Sequence, residues 1–154
     1  NPNQKDYLKA HHWYTKAAKQ GSLEAEFNLG LMEHFGHGVY PNYQKALLHY
    51  EKAATANQPE AFLNIAHIHY YGLGKSIDYL KAYEYYSLAS NYNFPQAEYH
   101  LGQMNQYGQG TQVDLEAAEQ YYQRSAEQGN SDAQIALQNL PIKEPDELEI
   151  LASN

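Results

Sequence analysis

The sequence predicts an all-α solenoid of 36-residue helix-turn-helix units, and three observations carry that prediction. First, the chain aligns with itself at an offset of 36, so that Ala25, Ala61, Ala97 and Ala133 share a column, as do Tyr14, Tyr50, Tyr86 and Tyr122. Second, the apolar positions inside a unit, such as Ala25, Leu29 and Met32, recur at helical spacing and do not alternate as a strand would. Third, two glycines return at one place in every unit: Gly36 and Gly38, Gly72 and Gly74, Gly108 and Gly110. A fixed period in this range marks units that cannot bury their apolar faces alone and stack to do so.

The elements follow in order. The array occupies residues 1–140, opening with a half repeat over 5–23, of which 5–21 read as a lone second-type helix, helix B. Full repeats follow over 24–59, 60–95 and 96–131, each with a first helix A (24–35, 60–71, 96–107) and a helix B (43–56, 79–92, 115–128). A half repeat, 132–140, is a lone helix A. Small residues recur where helices must approach closely, at Gly30, Ala66 and Gly102 on helix A and at Ala46, Ala53 and Ala54 with their counterparts on helix B. A helical glycine costs about 1 kcal/mol relative to alanine, so its return at 30 and 102 points to packing. The loop "FGHGVYPN" lacks the strand that a phosphate-cradling glycine loop requires before it, and its glycines read as helix stops. Residues 141–154 read as a tail or capping segment, with a short helix from Pro145 as the sharper reading.

Composition narrows the function classes. Sixteen tyrosines against four phenylalanines and one tryptophan suit half-buried packing and binding surfaces alike. With no cysteine, disulfides, thiolate metal sites and a cysteine nucleophile are excluded. A formal charge of -8, with lysines scattered as at Lys9, Lys16, Lys45, Lys52 and Lys81, argues against nucleic acid as a partner. The apolar runs are too short to span a bilayer. These residues carry no N-terminal signal, which a processed chain would have lost.

Ala-x-x-x-Leu-Gly, the Gly-x-Gly loop, Asp or Asn, Tyr, Lys-Ala and Lys-Ala-Ala with a closing glycine resemble the Sel1-like repeat, a relative of the tetratricopeptide repeat. "HWYTKAAKQGSLEAEFNLG" (12–30) resembles the consensus most closely, and the likeness covers about residues 5–140. The resemblance implies a right-handed α/α superhelix and a bacterial adaptor or scaffold that binds proteins. It implies an envelope, periplasmic or secreted setting, with the cytoplasm as the alternative. The chain departs from the family at Glu33, His69 and Asn105, where a tyrosine is usual, at Glu116-Ala117, and at "SLAS" (87–90).

Eight histidines raise a metal hypothesis, which spacing weakens. His11 and His12 are adjacent and His67 and His69 two apart, so their rings diverge, while His34 and His37 straddle a helix end. No nucleophile elbow, HExxH or Ser-x-x-Lys appears, so no catalytic residue, metal or cofactor is expected, and a cell-wall or β-lactam-processing enzyme stands only as a rival reading. The expectation is a protein or peptide partner in a concave groove lined by the A helices, through Asn28, Leu31 and Phe35, Asn64, His67 and Tyr71, and His100, Gln103 and Tyr107. The aromatic column Phe35, Tyr71 and Tyr107 precedes each turn and is expected to lie partly in the core. An immunity or inhibitor protein and a secreted effector are alternatives for the same groove. Array ends left without a partner helix suggest self-association or a longer array.

Overall fold

A computed structural model of the chain describes residues 2–55 and 58–141, with side chains from residue 5 onward. Among these residues eight α-helices follow one another without a strand: α1 (Pro2–Lys19), α2 (Leu23–Phe35), α3 (Tyr43–Ala54), α4 (Pro59–Tyr71), α5 (Tyr79–Ser90), α6 (Pro95–Tyr107), α7 (Leu115–Glu127) and α8 (Ser131–Asn139). Each even-numbered helix is an A helix and each odd-numbered one a B helix. Every helix packs on its neighbours in the chain, most extensively within the hairpins α2–α3, α4–α5 and α6–α7. The segment from 142 onward, including the helix expected from Pro145, lies outside the described residues.

Helix starts follow local chemistry. Ser22, Asn42, Asp78, Asp114 and Asn130 each accept a backbone N–H in the first turn of the helix they precede. α4 and α6 use Pro59 and Pro95 at their first position, where proline loses no helical hydrogen bond, and so begin one residue before the expected 60 and 96. α3 and α5 end two residues early, at Ala54 and Ser90; after α5 the chain turns through Asn93, whose φ is 58°.

The recurring glycine loop closes each A helix. Gly36, Gly72 and Gly108 sit in the left-handed region with φ of 73°, 64° and 67°, and their N–H groups donate to the carbonyls of Met32, Ile68 and Met104. The loop then locks back onto the helix it has left. Asn42, Asp78 and Asp114 donate their backbone N–H to the carbonyls of Glu33, His69 and Asn105 at 2.7, 2.9 and 2.9 Å. One residue thus caps helix B through its side chain and ties it to helix A through its backbone. The loop is a turn, as its sequence suggested.

Between the helices of a hairpin lies the tyrosine column. Tyr50, Tyr86 and Tyr122 are at most 1% exposed, with Ala46, Ala82 and Ala118 fully buried one turn before them. A Cβ placed on Gly30 would stand 2.6 Å from ring carbons of Tyr50, and one on Gly102 equally close to Tyr122. These glycines are therefore seats for tyrosine rings. Two of the hydroxyls find partners on the next turn of the A helix: Tyr122 donates to Gln106 Oε1 at 2.7 Å, and Tyr50 lies 3.4 Å from His34 Nδ1.

The column that departs from the family, Glu33, His69 and Asn105, is buried at 5%, 2% and 3% exposure. Asn105 donates to the Leu101 carbonyl and to the Tyr83 hydroxyl of the preceding B helix, and Glu33 lies within 4.0 Å of Lys45 and of His11 on α1. Glu33 and Asn105 thus reach back to the preceding B helix, while His69 stacks on Tyr85 of its own hairpin at 6.1 Å.

Leucine is a better helix former than glycine, so Gly102→Leu isolates the steric demand. We expect it to destabilise the fold by about 1–3 kcal/mol through overpacking against Tyr122, read as a lower urea midpoint with an unchanged slope. An unaltered or raised midpoint would show that the Tyr122 ring is free to move aside.

Candidate interaction face

The nine residues expected to line the groove lie on one turn-spaced stripe of the A helices α2, α4 and α6, and their exposure is uneven. Phe35, Tyr71 and Tyr107 are 58%, 54% and 63% exposed. The expectation that this column lies partly in the core is corrected: it follows the buried pair Met32–Glu33 by half a turn and so points outward. Leu31, His67 and Gln103 are half-buried one turn earlier.

Asn28 and Asn64 are also half-buried, but their amide N–H groups donate to the carbonyls of Glu24 and Glu60 in their own helices, at 2.9 and 3.0 Å. Their amides are engaged in helix chemistry, a bond that spacing alone does not disclose. His100, the third residue of that column, is only 8% exposed and so is not displayed on the face.

Its burial comes from a ring cluster that joins α4, α5 and α6. His100 stacks on Tyr86 with ring centroids 4.7 Å apart, and His67 meets it edge-on at 5.3 Å. Tyr70, Tyr71 and Tyr99 complete the surround at 5.1, 6.0 and 5.5 Å. Tyr70 and Tyr99 were not among the expected residues; they lie beside the i, i+3, i+7 stripe and reach the face through ring length. Tyr70 occupies the position at which His34 and Gln106 meet a tyrosine hydroxyl in the flanking repeats. It donates instead to Gln109 Oε1 at 3.1 Å. The Tyr86 hydroxyl and His100 Nδ1 are buried without a hydrogen-bond partner in the protein.

Burial holds both imidazoles in the neutral form. It lowers His67 to about 4, aided by nearby His34, and lowers His100 to about 4, aided by His67 and opposed by a hydrogen bond with Gln103. At neutral pH the cluster therefore offers uncharged rings and hydroxyls. Among the described residues no group of three or more His, Asp or Glu side chains could hold a metal ion.

Beside the cluster, between α6 and α8, the face opens into a pocket of about 260 Å³. Tyr99, Gln103 and Tyr107 form its α6 wall, and Ile135, Ala136 and Asn139 its α8 wall. Ala136 stands where the earlier repeats carry Asn28, Asn64 and His100, so the space filled by His100 between α4 and α6 is empty here. Extending the stripe into the last half repeat would have found Asn139 and Ala136, the counterparts of Gln103 and His100.

The two histidines make stability depend on pH in a stated direction. Between the ordinary histidine value of 6.5 and about 4 the unfolded chain takes up protons that the folded chain refuses, so stability falls as pH is lowered through that window. A series of melting temperatures from pH 7 to pH 4 should show this fall, and a His67→Gln, His100→Gln variant should show a shallower one. An equal slope in both proteins would show that the imidazoles are already hydrated.

The matched residues agree with this architecture. The Sel1 repeat family matches residues 4–22, 23–58, 59–91 and 95–130. A protective antigen of uropathogenic Escherichia coli with an SLR fold superposes with a TM-score of 0.80 at 32% identity, over 84% of this chain and 28% of its own. A Sel1 repeat protein from Oxalobacter formigenes superposes with a TM-score of 0.77 at 34% identity, over 86% of this chain and 54% of its own. Cysteine-rich protein B of Helicobacter pylori shares the fold, with a TM-score of 0.66 at 24% identity over 87% of this chain and 96% of its own. The chain thus spans less than two thirds of the first two structures it resembles. No curated protein sequence matches it. With the eight helices of its described residues arranged as the repeat hairpins of an α/α solenoid, the chain belongs to the Sel1 repeat family.

Proposed function

We propose that the chain is a non-catalytic protein-interaction module that receives a peptide segment or a folded protein on its A-helix face. Sel1 repeat proteins generally mediate protein–protein interaction. The observation that carries the reading for this chain is the exposed aromatic row, Phe35, Tyr71 and Tyr107, one residue per repeat and each more than half in solvent. Large aromatic side chains held by a rigid scaffold are the groups that anchor protein interfaces. Beside them, Gln103 supplies polar contact and the α6–α8 pocket supplies a depression for a partner side chain. An immunity protein, an inhibitor or an effector would use the same face and differ only in which protein docks there.

Three serine hydroxyls and the carboxylate closest to a histidine are engaged in the fold. Ser125 Oγ donates to the Pro95 carbonyl at 2.6 Å, Ser87 Oγ to the Tyr83 carbonyl at 2.7 Å, and Ser22 caps α2. The close His–carboxylate pair, His49 Nδ1 and Glu26 Oε2 at 2.6 Å, has Lys52 on the other carboxylate oxygen at 3.2 Å, and it bridges α2 to α3. Such a pair ties a hairpin together and is not arranged around a nucleophile.

Immobilised protein should retain a specific partner that Tyr71→Ala, Tyr107→Ala protein loses at least about tenfold, the scale of losing one or two interface anchors. Both side chains are more than half exposed, but Tyr71 also borders His100, so a modest fall in melting temperature is expected and retention is compared at a temperature where both proteins are folded. Equal retention by both proteins, quantified by mass spectrometry, would move the binding site off the A-helix face.

A further inference from the structure

The pocket between α6 and α8 has unmet bonding capacity of one kind. Its floor is the buried Tyr122, whose hydroxyl donates to Gln106 Oε1 at 2.7 Å and whose ring lies 5.9 Å from that of Tyr99. Gln103 is already engaged: it donates to the Tyr99 hydroxyl at 3.0 Å and shares a hydrogen bond with His100. The Asn139 amide nitrogen donates to the Ile135 carbonyl at 3.0 Å, and among the described residues its oxygen accepts nothing. At the edge stands the exposed carboxylate of Asp132, which makes no ion pair among the described residues. Burial raises the Tyr99 hydroxyl above its ordinary value, and the nearby Asp132 charge raises it further. What the pocket still offers is therefore acceptor oxygen and aromatic ring.

The surrounding charge has the same sign. The A helices α2, α4, α6 and α8 contain no lysine or arginine, whereas α3, α5 and α7 carry Lys45, Lys52, Lys81 and Arg124. Acids of the A helices that face a B helix are matched there: Glu26 meets Lys52 at 3.2 Å and Glu98 meets Arg124 at 3.4 Å. Asp132 has no such match. An acid in a first turn favours its own helix, so its presence alone identifies no ligand; what sets Asp132 apart is that it shares a pocket with Tyr99, Tyr107 and Tyr122. A cation over an aromatic face is attracted to it, and the chain uses this contact elsewhere. The Arg124 guanidinium lies 4.8 Å from the centre of the Tyr121 ring, and the Lys16 ammonium 5.5 Å from that of Trp13. An anionic ligand would meet Asp132 with no cation to offset it, and an apolar one would cover the Asn139 oxygen without replacing its water.

We propose that this pocket takes the positively charged end of an arginine or lysine side chain of the protein partner, with tyrosine rings along the stem and Asp132 and Asn139 at the charge. The inference rests on the reading of the A-helix face as the binding surface, and it narrows the partner to one that presents a basic residue there. Ala136 is what opens the site, since its counterpart His100 fills the same space between α4 and α6.

The test titrates the full, isotope-labelled chain with capped tripeptides of the form acetyl-Gly-X-Gly-amide, where X is arginine, lysine, norleucine or glutamate, and follows the side-chain amide signals of Gln106 and Asn139 by NMR. With an arginine or lysine peptide these signals should shift and saturate at millimolar concentration, and with the norleucine and glutamate peptides they should stay in place. Asp132→Asn should weaken the binding roughly two- to fivefold, the scale of a partly exposed ion pair. Ala136→His should abolish it while the spectrum keeps the dispersion of the folded array. No saturable shift with either basic peptide, equal binding of the norleucine peptide, or unaltered binding by both variants would overturn the proposal. Because the titration needs no partner, it separates the two readings. A negative titration beside a partner that the Tyr71→Ala, Tyr107→Ala protein loses would overturn the pocket's role and leave the face; a positive one beside a partner equally retained would overturn the face and leave the pocket's affinity for cations.

Discussion

The contact of the helix B tyrosine with the small residue of helix A is the constraint on which the rest of this array depends. A ring lying where a Cβ would otherwise stand brings two helices closer than side chains of ordinary size permit, and it fixes their register along and around their axes. Once that register is set, the other recurring features follow. The glycine that ends helix A must turn the chain at one place, because the residue that caps helix B also bonds back to the carbonyl three residues before that glycine. A displacement of one residue in either helix would break both the ring seat and the backbone tie.

The middle repeat shows how much the constraint allows. Ala66 places a methyl group where the flanking repeats have none, and Tyr86 shares its seat with His100, on which it stacks. Tyr70 replaces the hydrogen-bonding partner that His34 and Gln106 supply elsewhere, so the Tyr86 hydroxyl is left without one. A buried unpaired hydroxyl is destabilising, and the ring cluster around His67 and His100 offsets this with aromatic contact area. Burial of two imidazoles in the neutral form belongs to the same exchange. The centre of the array thus relies on stacked rings where its flanks rely on hydrogen bonds.

Much of this was legible in the sequence, for a physical reason. Glycines that must adopt positive φ, and a tyrosine column matched by small residues where helices approach closely, are demands of the backbone or of volume. They leave a mark in every unit because every unit meets the same demand, as at Gly36, Gly72 and Gly108. The interaction face was less legible because it repeats only in outline. Asn28 and Asn64 look like groove residues until their amides are seen to bond one turn back along their own helices. His100 stands in the same column, yet Tyr70, Tyr71, Tyr86 and Tyr99 bury it, and no local spacing discloses rings that converge from three helices. Phe35, Tyr71 and Tyr107 were assigned partly to the core because they adjoin a conformationally fixed turn; being next to a turn does not determine which way a side chain points.

The matched charges between hairpin helices extend the argument from shape to chemistry. Burial by itself would raise the carboxyl of Glu26, but hydrogen bonds from His49 and Lys52 hold it below the usual carboxylate value. Glu98 occupies the same column with Arg124 and Gln128 for company. It is more deeply buried, and burial raises its carboxyl more than those partners lower it. The same pair of positions therefore carries a well-compensated ion pair, Glu26–Lys52, in one repeat, a costly one, Glu98–Arg124, in another and the apolar Phe62 and Leu88 in the middle. Partly exposed ion pairs contribute little to stability, so their value here lies in discrimination: an acid facing leucine, or a phenylalanine facing lysine, would leave a charge without a partner at a tightly packed seam. A helix A exchanged between the middle repeat and a flanking one would meet such a mismatch, so the side chains at this seam hold each hairpin to its own partner.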